Sequence, residues 1–242
     1  MRLIAVILVA CFFIIPARAA ESGYGLYRPE NYNYEKYGNI DEKILFIMDF
    51  SNSMTDYLNG QRKLDLMLET MAQILPHIGR DVSIGLRIYG HKMGFTAFEA
   101  CRASTLAVPI APANAFNVQR SLNDTKPRGM TPITYSLKQA VKYDFLGING
   151  KKRIILLTDG GENCDESPCT YVMELIKVRK DISIDVIAFN VKDRDDLEQL
   201  ECTALVTSGK FYTADTAAEL VDRMTQSISG KKEVEAKILT ER

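Results

Sequence analysis

Ile44-Leu45-Phe46-Ile47-Met48-Asp49-Phe50-Ser51-Asn52-Ser53-Met54 is a short apolar run that stops at an aspartate followed by two serines spaced two apart. A continuous run of large apolar residues of this length suits a strand buried on both faces. Water is excluded along such a strand, so polar groups first converge at its C-terminal end. In open parallel α/β sheets that end is where ligands bind. One carboxylate and two hydroxyls on so short a loop offer hard oxygen donors, half a coordination shell for Mg²⁺ or a similar cation.

A second apolar run, Ile154-Leu157, ends in Thr158-Asp159-Gly160-Gly161 and so places another carboxylate at a strand end. Thr131 lies in the Gly-containing loop Lys126-Pro127-Arg128-Gly129-Met130-Thr131, just before a helical stretch. Asp49, Ser51, Ser53, Thr131 and Asp159 together supply five oxygen-bearing side chains with two formal charges. Mg²⁺ favours octahedral oxygen coordination and gives up water reluctantly, so such a set leaves a position open to an outside ligand. Taken singly, Ser51 and Ser53 also suit helix caps and Asp159 a turn.

Between these motifs the pattern alternates. Strands are expected over 43–48, 81–90, 104–110, 154–157, 182–190 and 210–213. Helical spacing runs over 64–75, 113–122, 135–143, 170–180, 195–208 and 217–229. Pro109 inside the third strand suits a sheet edge. Residues 55–60 and 91–101 read as loops. The order β-α-β-β-α-α-β-α-β-α-β-α predicts an α/β fold: a doubly wound, mostly parallel six-stranded sheet with helices on both faces and one antiparallel edge strand.

The chain has 242 residues, 46% of them hydrophobic, enough for one full core. With 30 Lys+Arg against 31 Asp+Glu, nothing marks an electrostatic nucleic-acid binder. Arg2, the apolar run to Ile15 and Ala17-Arg18-Ala19 form a signal peptide over 1–19, cut after Ala19. Leu8-Val9-Ala10-Cys11 resembles a lipobox, but the apolar run continues past Cys11, which makes lipoprotein anchoring the lesser reading. The mature chain is therefore expected to be secreted or periplasmic, without a transmembrane segment. Residues 20–41 form a Tyr-rich arm with Tyr24, Tyr27, Tyr32, Tyr34 and Tyr37, suited to packing on the domain or to a partner. Residues 230–242 form a charged tail. Four cysteines remain after the signal: Cys101, Cys164, Cys169 and Cys202. An even count in an exported chain favours disulfides, and the spacing and the two histidines argue against zinc.

Asp49-Phe50-Ser51-Asn52-Ser53, Gly129-Met130-Thr131 and Leu157-Thr158-Asp159-Gly160, in this order at these strand ends, resemble the von Willebrand factor type A (VWA) domain over about 42–229. The match is to its metal-ion-dependent adhesion site. Lys63-Leu64-Asp65, Arg87-Ile88-Tyr89-Gly90-His91, Asn163-Cys164 with Pro168-Cys169, and Gly209-Lys210-Phe211-Tyr212 look like the bacterial exported branch. The resemblance implies Mg²⁺, with Mn²⁺ or Ca²⁺ as alternatives. It makes Ser51, Ser53 and Thr131 direct ligands, and Asp49 and Asp159 direct or water-mediated ones. It also implies a partner protein whose Asp or Glu carboxylate completes the shell. The family's sheet order implies the pairs Cys101–Cys164 and Cys169–Cys202, the alternative being a local Cys164–Cys169 bridge with two free thiols.

Catalysis is not expected. There is no Gly-x-Ser-x-Gly elbow, Walker loop or GxGxxG. His91 reads as a polar loop residue, and Asp193-Arg194-Asp195-Asp196 as a helix start. The alternatives are an envelope assembly factor, working through the Tyr-rich arm with a structural metal, and, less favoured, a metal-dependent hydrolase holding water on Asp49 and Asp159.

Overall fold

The computed structural model describes residues 42–229. The expected signal peptide with Cys11, the Tyr-rich arm and the charged tail lie outside the described residues. Among the described residues eight strands form: β1 (Glu42–Asp49), β2 (Tyr57–Leu58), β3 (Gln61–Arg62), β4 (Ser83–Tyr89), β5 (Ser104–Ala111), β6 (Lys151–Thr158), β7 (Ile182–Phe189) and β8 (Phe211–Ala214). Seven α-helices accompany them among the same residues: α1 (Lys63–Ile74), α2 (Ala97–Ala100), α3 (Ala115–Asp124), α4 (Ile133–Gln139), α5 (Pro168–Val178), α6 (Arg194–Val206) and α7 (Ala217–Ser229).

Six strands make one sheet in the order β5-β4-β1-β6-β7-β8. Every pair is parallel except β4–β5, so the antiparallel strand lies at an edge, as its proline requires. The β4–β5 register shifts beside Leu86, and Pro109 is accommodated near that irregularity. β1 is central, with Asp49 opposite Tyr89 on β4 and Met48 opposite Leu157 on β6. The chain runs outward from β1 to β4 and β5, then crosses to β6, β7 and β8. The direction reverses beside β1, and its C-terminal end is the crevice of the sheet.

Alternation along β1 divides the core. Ile44, Phe46 and Met48 face a cluster built with Leu64, Met67 and Met71 of α1, Val118 and Leu122 of α3, and Leu220 and Met224 of α7. Leu45 and Ile47 face Ile133 and Leu137 of α4, Val172 of α5, and Leu200 and Ala204 of α6. All five β1 residues are fully buried, and each such burial favours folding by about 1.5–3 kcal/mol. That anchors the strand whose end carries Asp49.

Two expected loops hold structure. In 55–60 the dipeptide Asn59-Gly60, both at positive φ, closes a small hairpin of β2 and β3. Asn-Gly is the strongest short hairpin signal, but flanking strands of two residues give it no apolar alternation. Within 91–101, Thr96 caps the one-turn α2 by accepting the Glu99 N–H. The helix expected over 135–143 starts earlier, at Ile133, and ends in a π segment, Ala140–Asp144.

Candidate metal centre

β1 delivers Asp49 to the crevice with no exposure to solvent. Its Oδ1 accepts the Ser51 N–H at 2.7 Å, and its Oδ2 accepts the Thr158 hydroxyl at 2.8 Å. The chain then turns through a 3₁₀ helix, Asn52–Thr55, with Ser51 at the cap position. The Ser51 side chain makes no capping bond. Its Oγ lies 3.0 Å from Ser53 Oγ instead, and Ser53 Oγ donates to Asp159 Oδ1 at 2.7 Å. Asp49, Ser51, Ser53 and Asp159 are thus linked by a continuous line of hydrogen bonds, although Asp159 lies 106 residues from Ser53.

Thr131 is brought to the same place by backbone rather than by its side chain. Arg128 N–H donates to the Phe50 and Gly90 carbonyls at 3.2 and 2.9 Å, and Asn52 N–H donates to the Gly129 carbonyl at 3.1 Å. Ser51 and Gly129 form an isolated parallel bridge. Gly90, at φ +71°, permits this crowding, because a Cβ there would lie 2.5 Å from the Ser51 nitrogen. Thr131 is buried, and its N–H donates to Asn163 Oδ1 at 2.7 Å. Three residues on, Glu162 accepts the Thr134 N–H at 2.7 Å and the Cys164 N–H at 3.0 Å. Thr134 is in the first turn of α4, where free N–H groups need an acceptor.

Electrostatics set the character of the site. Burial first, and the Asp159 charge second, push the Asp49 carboxyl from 3.8 up to about 6. Tyr89, buried beside it, is held well above its ordinary value by burial and then by the Asp49 charge. Burial also raises Glu162. His91 bonds to Thr105 Oγ1 at 3.1 Å rather than to any of the five residues, and burial lowers it to about 4.

The residues present fit a hard divalent cation. Hydroxyl and carboxylate oxygens converge at one strand end, and the buried Asp159 charge opposes the ionisation of Asp49. Sequence reasoning gave four members of the site no role in it, although Thr158, Asn163 and Lys63 stand in the motifs that carry the family resemblance. Thr158 supports Asp49, Asn163 supports Thr131, and Glu162 caps α4. Lys63, the first residue of α1, places its Nζ 2.9 Å from Asp159 Oδ2.

Two disulfides flank the loops. Cys101 bonds Cys164, with Cα atoms 5.5 Å apart, and Cys169 bonds Cys202 at 5.4 Å. No local Cys164–Cys169 bridge forms. The first disulfide ties the segment after α2 to the loop that carries Glu162 and Asn163.

The family model of the von Willebrand factor type A domain matches residues 43–226. The chain belongs to that family. This type A domain is 27% identical over 186 residues to the uncharacterised protein YwmD of Bacillus subtilis (strain 168), covering 74% of this chain and 81% of the relative. It is 26% identical over 187 residues to YwmC of the same organism, covering 76% and 81%. Among solved structures it is similar to proximal thread matrix protein 1 of the mussel byssus with a zinc-occupied MIDAS motif. There the TM-score is 0.60 at 20% identity, over 80% of this chain and 46% of that one. A von Willebrand factor type A protein from Catenulispora acidiphila superposes with a TM-score of 0.60 at 17% identity, over 79% and 44%. The domain spans less than half the length of these two solved chains. Among the described residues no helix is long and apolar enough to cross a membrane.

Proposed function

We propose that this type A domain is exported and captures a partner protein through a divalent cation. Asp49, Ser51, Ser53, Thr131 and Asp159 hold the cation, Mg²⁺ in preference to Mn²⁺ or Ca²⁺, and a partner Asp or Glu carboxylate completes its shell. The observation that carries this reading is the line from Asp49 through the Ser51 N–H, and from the Ser51 and Ser53 hydroxyls to Asp159, which gathers two carboxylates and two hydroxyls at the C-terminal end of the central strand. A bound cation supplies the positive charge that draws the partner carboxylate. The neighbour with a zinc-occupied motif supports a divalent cation in this fold. Hydroxyl-rich oxygen ligands favour Mg²⁺ over softer ions.

The reading is of binding without turnover. His91 bonds to Thr105 through Nε2 and to none of the five residues, and Lys63 is paired with Asp159. Export is supported by the signal-like segment 1–19 and by two disulfides, which persist in oxidising compartments.

The test is capture from cell-envelope extract on immobilised protein with Mg²⁺ or with EDTA, using wild type, Asp49→Ala and Ser51→Ala. Loss of one discrete partner in EDTA and in both variants, with unchanged circular dichroism, is the expected result. Capture that survives EDTA and both substitutions overturns the reading. If that capture instead disappears on deleting 20–41, it establishes the envelope-assembly alternative. Hydrolysis of esters or phosphoesters that vanishes in Asp49→Ala establishes the hydrolase.

A further inference from the structure

Lys63 sits where local rules disfavour it. It opens α1, where unpaired N–H groups already present partial positive charge and acidic side chains are preferred. It is also only 8% exposed, and lysine is rarely buried without a partner. Its partner is Asp159, with Nζ 2.9 Å from Oδ2 and the two side chains 10% and 0% exposed. Asp159 uses its other oxygen to accept the Ser53 hydroxyl. The ammonium is therefore one carboxylate away from the oxygen cluster. The Lys63 N–H donates to the Asp56 carbonyl at 2.9 Å, which fixes the residue at the end of the hairpin loop.

We propose that Lys63 is a tethered cation that weakens divalent-ion binding at the site and strengthens the binding of an outside carboxylate to the loaded site. This rests on the metal-site reading above. Asp49 and Asp159 carry two negative charges, and Lys63 leaves one uncompensated. An arriving divalent ion is attracted by the two carboxylates but repelled by the ammonium, at short range and with little water between them. Once the ion is bound, the cluster carries one net positive charge instead of none. That surplus is directed at the open coordination position, where a carboxylate would enter. Buried charges are weakly screened by salt, so the trade persists at physiological ionic strength. Lys63 is a positioning and affinity-setting residue. It binds neither metal nor partner itself.

The experiment uses the full mature chain and Mn²⁺ as the probe, with free Mn²⁺ counted by electron paramagnetic resonance. Acetate is then titrated into the Mn²⁺-saturated protein. Lys63→Met removes the charge and keeps an unbranched side chain of similar length. Lys63→Gln removes the charge and keeps a donor for Asp159, and Lys63→Arg keeps the charge. Thermal melts in EDTA identify which variants are folded. We expect Lys63→Met and Lys63→Gln to bind Mn²⁺ about tenfold or more tighter than wild type and to bind acetate several-fold more weakly. Lys63→Arg should stay near wild type in both. The opposed movement of the two affinities is what a purely structural lysine does not produce. Folded Lys63→Gln that binds Mn²⁺ no tighter than wild type overturns the proposal, whatever Lys63→Met does. Wild type that binds no Mn²⁺ sinks the metal-site reading instead, and the two failures are thereby told apart.

Discussion

Two buried ionic clusters lie on neighbouring strands of the same sheet, and they differ in whether their charges close. On β4, Arg87 holds Asp144 with a two-pronged contact, Nε to Oδ2 at 2.6 Å and Nη2 to Oδ1 at 2.7 Å. Both side chains are almost fully buried. The remaining prong of the guanidinium donates to Ser104 on β5 at 2.9 Å. Asp144 reaches this position because it ends the π segment that closes the α4 stretch. Charge is balanced and each of the three guanidinium nitrogens donates a hydrogen bond, so the pair is self-sufficient. One strand away, Asp49 and Asp159 are as deeply buried, but a single lysine stands against two carboxylates. Two serine hydroxyls, acting through partly exposed Ser53, connect that pair to the surface. Equal burial thus has two outcomes. A closed cluster fixes the fold, and an open one is left to be completed from outside.

The largest expected effect breaks the closed cluster. Asp144→Ala leaves the Arg87 guanidinium buried and unpaired, which should cost about 3–5 kcal/mol of folding stability. Urea denaturation checks it, and a loss under about 1 kcal/mol would show that Arg87 escapes to water and that the cluster is not closed. Asp49→Asn attacks the open cluster and should behave in the opposite way. The amide oxygen still accepts the Ser51 N–H while one of two opposed charges is removed. Metal-free stability at neutral pH should hold or rise. Mn²⁺ affinity should fall by about a hundredfold, a loss of about 2.7 kcal/mol. Calorimetric titration alongside melts in EDTA separates the two. A variant that loses stability and keeps the metal would reverse the comparison.

Acid should distinguish the clusters next. Asp49 titrates near 6 in the folded protein against 3.8 unfolded. Between those values the native state holds more protons than the unfolded state, so stability falls as pH rises through that window. The metal-free protein should lose on the order of 2 kcal/mol from this group between pH 4 and pH 7. Other carboxylates are also raised by burial, among them Glu162 and Asp196. The measurement is therefore the difference in urea midpoint between wild type and Asp49→Asn at each pH, in EDTA. A constant difference from pH 4 to pH 7 rules out Asp49 as the source.

The open cluster was half legible in the sequence. Asp49 and Asp159 were legible because each follows an uninterrupted apolar run, and a buried parallel strand has to end where such a run ends. The sheet, its antiparallel edge and the two-sided helical cover follow from the same alternation of runs and helical spacing. Lys63 gave no comparable signal. Its meaning comes from a carboxylate 96 residues away, and in the sequence it stands only in the Lys63-Leu64-Asp65 motif of the resemblance, with nothing to tie it to the metal site. The Arg87–Asp144 pair was hidden for a related reason. Its acid sits past the expected helix end, at 144, where only the π turn rotates it inward. The Asn59-Gly60 hairpin was missed for lack of strand length, although the turn signal itself was plain.

Asn163 gives the smallest and most local test of how an open cluster is held ready. The loop 128–131 reaches Asp49's end of β1 through backbone bonds, but the orientation of Thr131 depends on one side chain, because its N–H donates to Asn163 Oδ1. Asn163 precedes Cys164, which is bonded to Cys101, so the acceptor stands on a braced loop. Asn163→Ala leaves the buried Thr131 without an acceptor for its N–H, at a cost of about 1 kcal/mol. The sheet and the Arg87–Asp144 pair lie elsewhere and should be untouched. The larger consequence is entropic. A Thr131 segment no longer held in one orientation must be ordered when the cation binds, so Mn²⁺ affinity should drop about three- to tenfold. Asn163→Asp should reinstate the acceptor and add a third negative charge near the cluster, recovering affinity to wild type or beyond. If Asn163→Ala binds Mn²⁺ as tightly as wild type, the backbone bonds alone place Thr131. The open cluster then owes its readiness to β1 and β6 rather than to the braced loop.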